Sequence, residues 1–147
     1  HRRLYQRGRA LLTGIARWAK AAHPGIEVIG VQATGADAME KSWRSGQLVF
    51  PPSVATIADG IGVRVPIAEA VEDMKGIVDD VVLVEDSDII AAMRLLFRTA
   101  GLLAEPSGAA GLAAIQRHPA RFRNRKVATI ICGSNLTDEQ ITSWIAP

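Results

Sequence analysis

Short apolar, β-branched runs alternate along this chain with longer stretches in which apolar residues recur every three or four positions. Leu11, Leu12, Ile15, Ala16 and Ala19 share one helical face, and the pattern stops at His23-Pro24-Gly25. Residues 26–31 then predict a buried strand, and a second helix is expected over 36–44, closing at Ser45 and Gly46. Residues 49–65 contain Pro51, Pro52, Gly60 and Gly62 and read as a loop. A helical period returns over 66–78, with Pro66 near its first turn. Residues 81–84 predict another short strand, after which Asp86, Ser87 and Asp88 supply acceptors and negative charge where a helix over 89–99 begins. Beyond Gly101 the chain extends briefly before Pro106 opens a helix carrying Ala109, Ala110, Leu112, Ala113 and Ile115. Residues 127–131 form an apolar, β-branched run that predicts a buried parallel strand ending at Cys132, and Thr137 with Gln140 reads as a capping box for a last helix. Strands alternating with helices predict an α/β fold, an open, mostly parallel sheet with helices packed on it.

A length of 147 residues with 48% hydrophobic and 22% charged positions suits one domain with a buried core. The net charge is only +2, but Arg2, Arg3, Arg7, Arg9, Arg17 and Lys20 crowd the start of the chain. That cluster reads either as a nucleic-acid contact or as a solvated terminus, and the second is expected, so no nucleic-acid partner is assigned. A single Cys excludes an internal disulfide and suits a reducing compartment, which makes the cytoplasm the expected location. No apolar run reaches the roughly 20 residues needed to cross a bilayer, so no membrane partner is expected. Residues 10–16 follow a basic stretch as a signal core would, but Arg17 and Lys20 interrupt them. The chain begins with His, which is expected to mark a processing product or a fragment boundary.

Ligands of open parallel sheets sit beyond the carboxyl ends of the strands, where backbone N–H groups become free. Cys132-Gly133-Ser134-Asn135 is predicted to stand there, and Glu105-Pro106-Ser107-Gly108-Ala109-Ala110 opens the helix before it. On its own, Cys132 reads equally as a ligand-facing thiol or as a small buried residue at a strand end. Ala58-Asp59-Gly60 alone is an ordinary turn, and Glu-Pro-Ser-Gly alone a good helix N-terminus. His1, His23 and His118 are scattered, the last two each preceding Pro at a helix end, so no zinc cluster is expected.

Taken together, Thr13-Gly14, Gly30-Val31-Gln32-Ala33, residues 56–60, Val78-Asp79-Asp80-Val81, residues 105–110 and residues 132–135 resemble, in order and spacing, the carboxyl-terminal half of the serine/threonine dehydratases. These are fold type II pyridoxal-phosphate enzymes, a group that includes serine racemase and resembles the β subunit of tryptophan synthase. The resemblance covers about residues 10–137. It implies pyridoxal 5'-phosphate as cofactor, with Cys132 facing the pyridine nitrogen, where a neutral thiol makes the ring a moderated electron sink. It also implies that Ala58 and Gly60 lie against the ring, that Asp59 braces their loop, that Glu105 and Ser107 form pocket wall, and that Asn135 supports the turn. Ser134 stands where many relatives carry Gly. Some relatives hold a divalent cation with carboxylates beyond the strand at 26–31; here those positions read Gln32 and Ala38, with Asp37 nearby, so no well-formed metal site is expected.

Two parts of the family pattern are missing. Lys20, Lys41, Lys75 and Lys126 do not stand in the setting of the catalytic lysine, so no catalytic residue is assigned to this chain. A glycine-rich phosphate loop belongs just before Leu11, where the sequence reads Gln6-Arg7-Gly8-Arg9-Ala10. Residues 1–9 therefore read as an atypical basic segment, foreign to the family, and residues 10–147 as the carboxyl-terminal part of a pyridoxal-phosphate enzyme domain. The expected function is that of a fragment of an ammonia-lyase converting serine or threonine to a 2-oxo acid and ammonia, inactive and weakly cofactor-binding alone. A racemase fragment and a non-catalytic, self-associating interaction module are the alternatives. An amino-acid substrate and homo-oligomerisation are expected of the complete enzyme.

Overall fold

Two parallel strands set the frame: β1 (Ile29–Ala33) and β2 (Asp80–Val84) pair with Ile29 opposite Asp80 and Ala33 opposite Val84. The computed structural model describes residues 7–146, with side-chain detail from Leu11 onward; the predicted basic residues Arg2 and Arg3 lie outside the described part. Helix α1 (Arg7–Ala22) starts ahead of the predicted face at Leu11, because Arg and Ala are good helix formers where the glycines of the expected phosphate loop would not be. After β1 come a 3-10 turn (Thr34–Ala36) and α2 (Ala38–Ser45), which ends on Gly46 at φ 73°. The long loop carries one 3-10 turn (Asp59–Ile61) before α3 (Ala68–Met74). Helices α4 (Asp86–Ala100), α5 (Pro106–Arg117) and the short α6 (Pro119–Phe122) follow β2. The chain closes with α7 (Asp138–Gln140), which runs into a π-helical turn (Ile141–Ile145).

The core lies between the sheet and the α4–α5 pair. Ile89, Ala92, Met93 and Leu96 fall at i, i+3, i+4 and i+7 of α4, all buried, and meet Ala109, Ala113 and Ala114 of α5. These alanines let the two helices and β2 approach closely, and Val84 and Ala33 complete the layer without residual exposure. Ile145 of the final turn closes over the same cluster, held there by Arg94 Nε, which donates to the Trp144 carbonyl at 2.7 Å. A second cluster, Met74, Val78 and Val81 with Leu12 and Trp43, fixes α1, α2 and α3 beside the sheet.

Several sequence expectations shift. The strand predicted over 26–31 begins at Ile29, because Glu27 is held outside it by ion pairs to Arg121 and Arg125. The helix predicted over 66–78 shortens to α3, and Gly76 at φ 73° turns the chain toward β2. The largest correction concerns residues 127–131, predicted as a buried strand. They have no ladder partner among the described residues, and Val127, Ile130 and Ile131 are 44%, 49% and 41% exposed. A β-branched run becomes a strand only beside another strand, and among the described residues none pairs with it. The capping box predicted at Thr137 and Gln140 is present, with Gln140 N–H donating to Thr137 Oγ1 at 3.2 Å and Thr137 N–H to Gln140 Oε1 at 2.9 Å.

Candidate active site

The carboxyl ends of β1 and β2 are tied by Thr34, whose hydroxyl donates to the Val84 carbonyl at 3.2 Å and to Glu85 Oε1 at 3.0 Å. Just beyond them, the Asp86 carboxylate gathers the loop at 56–58: Oδ1 accepts from Thr56 Oγ1 at 2.6 Å and Oδ2 from Ile57 N–H at 3.0 Å. The Thr56 hydroxyl in turn accepts from Ala58 N–H at 3.1 Å, and Ala58 is fully buried. The brace of this loop is thus Asp86, not Asp59, whose side chain is exposed. The sequence placed Asp86 among helix-capping acceptors. Its neighbours take that part instead: Asp88 Oδ2 accepts from Glu85 N–H at 2.9 Å, which leaves Asp86 free to reach across. An acidic residue two positions past a strand, at the first position of a helix already capped by its neighbours, was the available signal.

The loop presents Gly60 to the start of α5. A Cβ built there would stand 2.7 Å from Ser107 Oγ and 3.9 Å from Glu105 Oε1. Pro106 opens α5 at its first turn, where its missing N–H costs nothing, and Gly108 and Ala109 N–H both donate to the Glu105 carbonyl. On the far side of the helix start comes the chain after residue 131. A Cβ at Gly108 would collide with the Cys132 carbonyl, so only glycine admits this approach. Glu105 N–H donates to the Gly133 carbonyl at 2.9 Å, and Gly133 at φ 74° lies against the Glu105 carboxylate. Cys132 is a free, exposed thiol, which removes the reading of it as a buried apolar residue. Asn135 lines a cavity of about 270 Å³ together with Ile57, Asp59, Glu105, Leu136 and Trp144.

The predicted site residues Gly60, Glu105, Ser107 and Cys132 are therefore drawn to one end of α5, with Ala58 beneath and Asn135 beside them. Ser107 Oγ is buried and has no hydrogen-bond partner among the described residues. An orphaned hydroxyl beside a position cleared of a Cβ, with the exposed Cys132 thiol at hand, fits the ring of pyridoxal phosphate: polar edge groups need partners and the flat face needs bare backbone. At the phosphate end, Arg7 to Ala10 are wound into the first turns of α1.

The expected metal position is differently occupied. Gln32 Oε1 accepts from Glu40 N–H at 2.8 Å and Asp37 pairs with Lys41 at 2.8 Å. Among the described residues no three His, Cys, Asp or Glu side chains are grouped to hold a metal ion, and no helix is long and apolar enough to cross a membrane. Lys20, Lys41 and Lys75 each pair with a carboxylate, of Asp79, Asp37 and Glu72 respectively. Arg17 pairs with Asp73 at 3.1 Å, so two of the six basic residues near the start are neutralised locally.

Known proteins resemble this chain in sequence and fold. The chain is 33% identical over 135 residues to the L-threonine ammonia-lyase of Geobacter sulfurreducens, a match covering 92% of this chain and 34% of that protein. It is similar in structure to a threonine deaminase of T.th., with a TM-score of 0.82 and 30% identity over 88% of this chain and 42% of that one. Maize serine racemase gives a TM-score of 0.81 with 32% identity over 92% of this chain and 43% of that one. The chain thus spans between about a third and a half of the length of these relatives. The model of the family described as "Pyridoxal-phosphate dependent enzyme" matches residues 7–133. With most of its length matched and the site-forming segments within or next to that match, the chain belongs to the pyridoxal-phosphate dependent enzyme family.

Proposed function

We propose that these residues form one wall of the cofactor pocket of an ammonia-lyase acting on serine or threonine. The observation that carries the reading is the meeting of Gly60, Ser107 and Glu105 with the Cys132-Gly133 turn, segments far apart in sequence, around a buried hydroxyl without a partner among the described residues. Pyridoxal phosphate, when bound, supplies the electron sink that makes loss of the α-proton and of the β-hydroxyl accessible. Cys132 offers the ring nitrogen a neutral hydrogen-bonding group, weaker than a carboxylate, and Ser107 supplies a hydroxyl at the pocket wall. Ala58 and Gly60 keep the ring face clear, Glu105 holds the Gly133 turn, and Asn135 borders the entrance. The base that moves the α-proton is assigned to polypeptide outside these 147 residues, since Lys20, Lys41, Lys75 and Lys126 do not stand in the setting of the family's catalytic lysine. In this reading residues 10–147 are the carboxyl-terminal part of the enzyme domain, and the complete enzyme is a homo-oligomer in the cytoplasm. The complete enzyme takes an amino acid, removes water and releases a 2-oxo acid and ammonia; a racemase using the same wall differs only in product.

The test is titration of the purified chain with pyridoxal phosphate, followed by absorbance and by a pyruvate assay with serine. Weak binding without pyruvate is expected, and Ser107→Ala and Cys132→Ala reduce that binding further. Steady pyruvate formation by the chain alone, or binding indifferent to both substitutions, overturns the reading.

A further inference from the structure

The loop that carries Ala58 and Gly60 is fastened at both ends to the corner where β1 turns into α2. At one end Ala55 N–H donates to the Gly35 carbonyl at 2.9 Å, and at the other Val63 forms a parallel bridge with Asp37. A Cβ at Gly35 would collide with the Ala55 carbonyl, so the two backbones lie in direct contact there. Helix α2 also holds the approach to the loop, since Ser42 Oγ, which donates to the Ala38 carbonyl at 2.6 Å, accepts from Val49 N–H at 2.9 Å. Residues 55–63 therefore follow this corner, and Gly60 has little room to move: a Cβ there would already stand 2.7 Å from Ser107 Oγ.

The corner starts its helix in an unusual way. Asp37 occupies the position before α2, where an Asp side chain ordinarily accepts from the N–H of the second or third helical residue. It makes no such bond. The chain enters from a 3-10 turn, which leaves Asp37 at φ −89° and ψ 11° instead of extended, and its carboxylate pairs with Lys41 Nζ at 2.8 Å. The third residue of α2 is Glu40, whose N–H donates at 2.8 Å to Oε1 of Gln32, the last residue but one of β1. Gln32 and Glu40 are 7% and 9% exposed, and Ala36 and Ala38 between them are fully buried, so loss of the acceptor would strand a buried N–H.

We propose that Gln32 is a positioning residue for this loop: by capping α2 from the sheet, its side chain closes the corner at 33–38 and so sets where Ala58 and Gly60 stand. The sheet is the fixed side of the joint, because the Thr34 hydroxyl ties the corner to the Val84 carbonyl and to Glu85. An acceptor on the strand carries the position of the sheet across the turn to α2, whereas an acceptor at Asp37 would hold the helix only to its own entry. The Asp37–Lys41 pair cannot do the same work, since it spans a single turn and the Lys41 side chain is exposed, where ion pairs contribute little. Asp86 acts on the middle of the loop, at Thr56 and Ile57, and Gln32 on its two ends. Side chains that touch no ligand but fix those that do are what keep a site within its working geometry. The bearing of Gln32 on catalysis rests on the reading of this wall as a cofactor pocket; its bearing on the loop does not.

Amide NMR spectra of the full chain, joined to pyridoxal-phosphate titration, give the test. Gln32→Met keeps the volume and removes the acceptor, Gln32→Asn shortens its reach with less disturbance, and Gln32→Glu keeps an acceptor. Val78→Ala, in the second apolar cluster, is the control that lowers stability without touching the corner. The amide peaks of Ala55, Ala58 and Gly60 are expected to move in Gln32→Met and Gln32→Asn and to stay in place in Val78→Ala, with all variants folded by circular dichroism. Pyridoxal-phosphate affinity falls about fivefold in Gln32→Met, the factor set by a lost helix cap, and is retained in Gln32→Glu and Val78→Ala. Peaks unmoved in both Gln32→Met and Gln32→Asn, an equal movement in Val78→Ala, affinity unchanged once the peaks have moved, or no rescue by Gln32→Glu overturns the proposal. Absence of pyridoxal-phosphate binding by the parent chain counts against the cofactor reading instead, and the peak positions then decide the part played by Gln32.

Discussion

The Thr56 hydroxyl donates to Asp86 Oδ1 at 2.6 Å, and through this bond the helix after β2 holds the loop that carries Ala58 and Gly60. Both partners are half-buried, and hydrogen bonds to charged groups in such places contribute about 1.5–3 kcal/mol. Asp86→Ala is expected to destabilise the chain by that amount in urea unfolding and Thr56→Val by less, since Ile57 N–H keeps its acceptor. The double variant should cost less than the sum of the two. Additive losses would show that the pair is not coupled.

Close approach to α5 gives a ranking. At Gly108 an added methyl meets the Cys132 backbone carbonyl, and at Gly111 it meets the Thr129 hydroxyl, the end of a side chain that can rotate. Gly108→Ala is therefore expected to cost about 2–3 kcal/mol in thermal unfolding, as an overpacked contact does. Gly111→Ala costs less than half of that. Equal losses would mean that the turn after Cys132 yields as readily as a side chain.

Ser107 separates folding from binding. Its hydroxyl is buried without a hydrogen-bond partner among the described residues, so Ser107→Ala removes an uncompensated desolvation cost and leaves stability unchanged or up to about 1 kcal/mol higher. Pyridoxal-phosphate affinity should fall in the same variant. A large loss of stability would show that the hydroxyl has a structural partner.

An ion-pair network at the opposite end of the sheet sets the acid limit. Burial pushes the Asp80 carboxyl up, but Arg121, the Val81 N–H and Arg44 outweigh it and hold it below the usual carboxylate range. Arg121 lowers Glu27 likewise, and Lys20 with the Val28 N–H lowers Asp79. Unfolded, these groups return to about 4, so the unfolded state binds more protons as the solution is acidified. Their stabilisation is complete above that value and is lost as pH falls through the lower folded values. The melting temperature should be flat above about pH 5 and drop below about pH 4. Arg121→Ala should lower it at neutral pH and narrow the gap to the parent at acid pH. A gap that does not change with pH would assign the effect of Arg121 to packing.

Local patterning determined much of this protein. The spacing of Ile89, Ala92, Met93 and Leu96 specified α4 and its buried face, Pro106 specified where α5 begins, and Thr137 with Gln140 specified the last cap, because each depends on neighbours within a turn or two. The ordered motifs around residues 56–60, 105–110 and 132–135 also named the segments that meet. Tertiary structure alone decided the rest. Asp86 braces a loop at Thr56, 30 positions earlier in the chain, and no local pattern encodes such a reach. Residues 127–131 have every preference of a buried strand yet lie exposed, since a helix satisfies its backbone within itself whereas a strand must be completed by another segment.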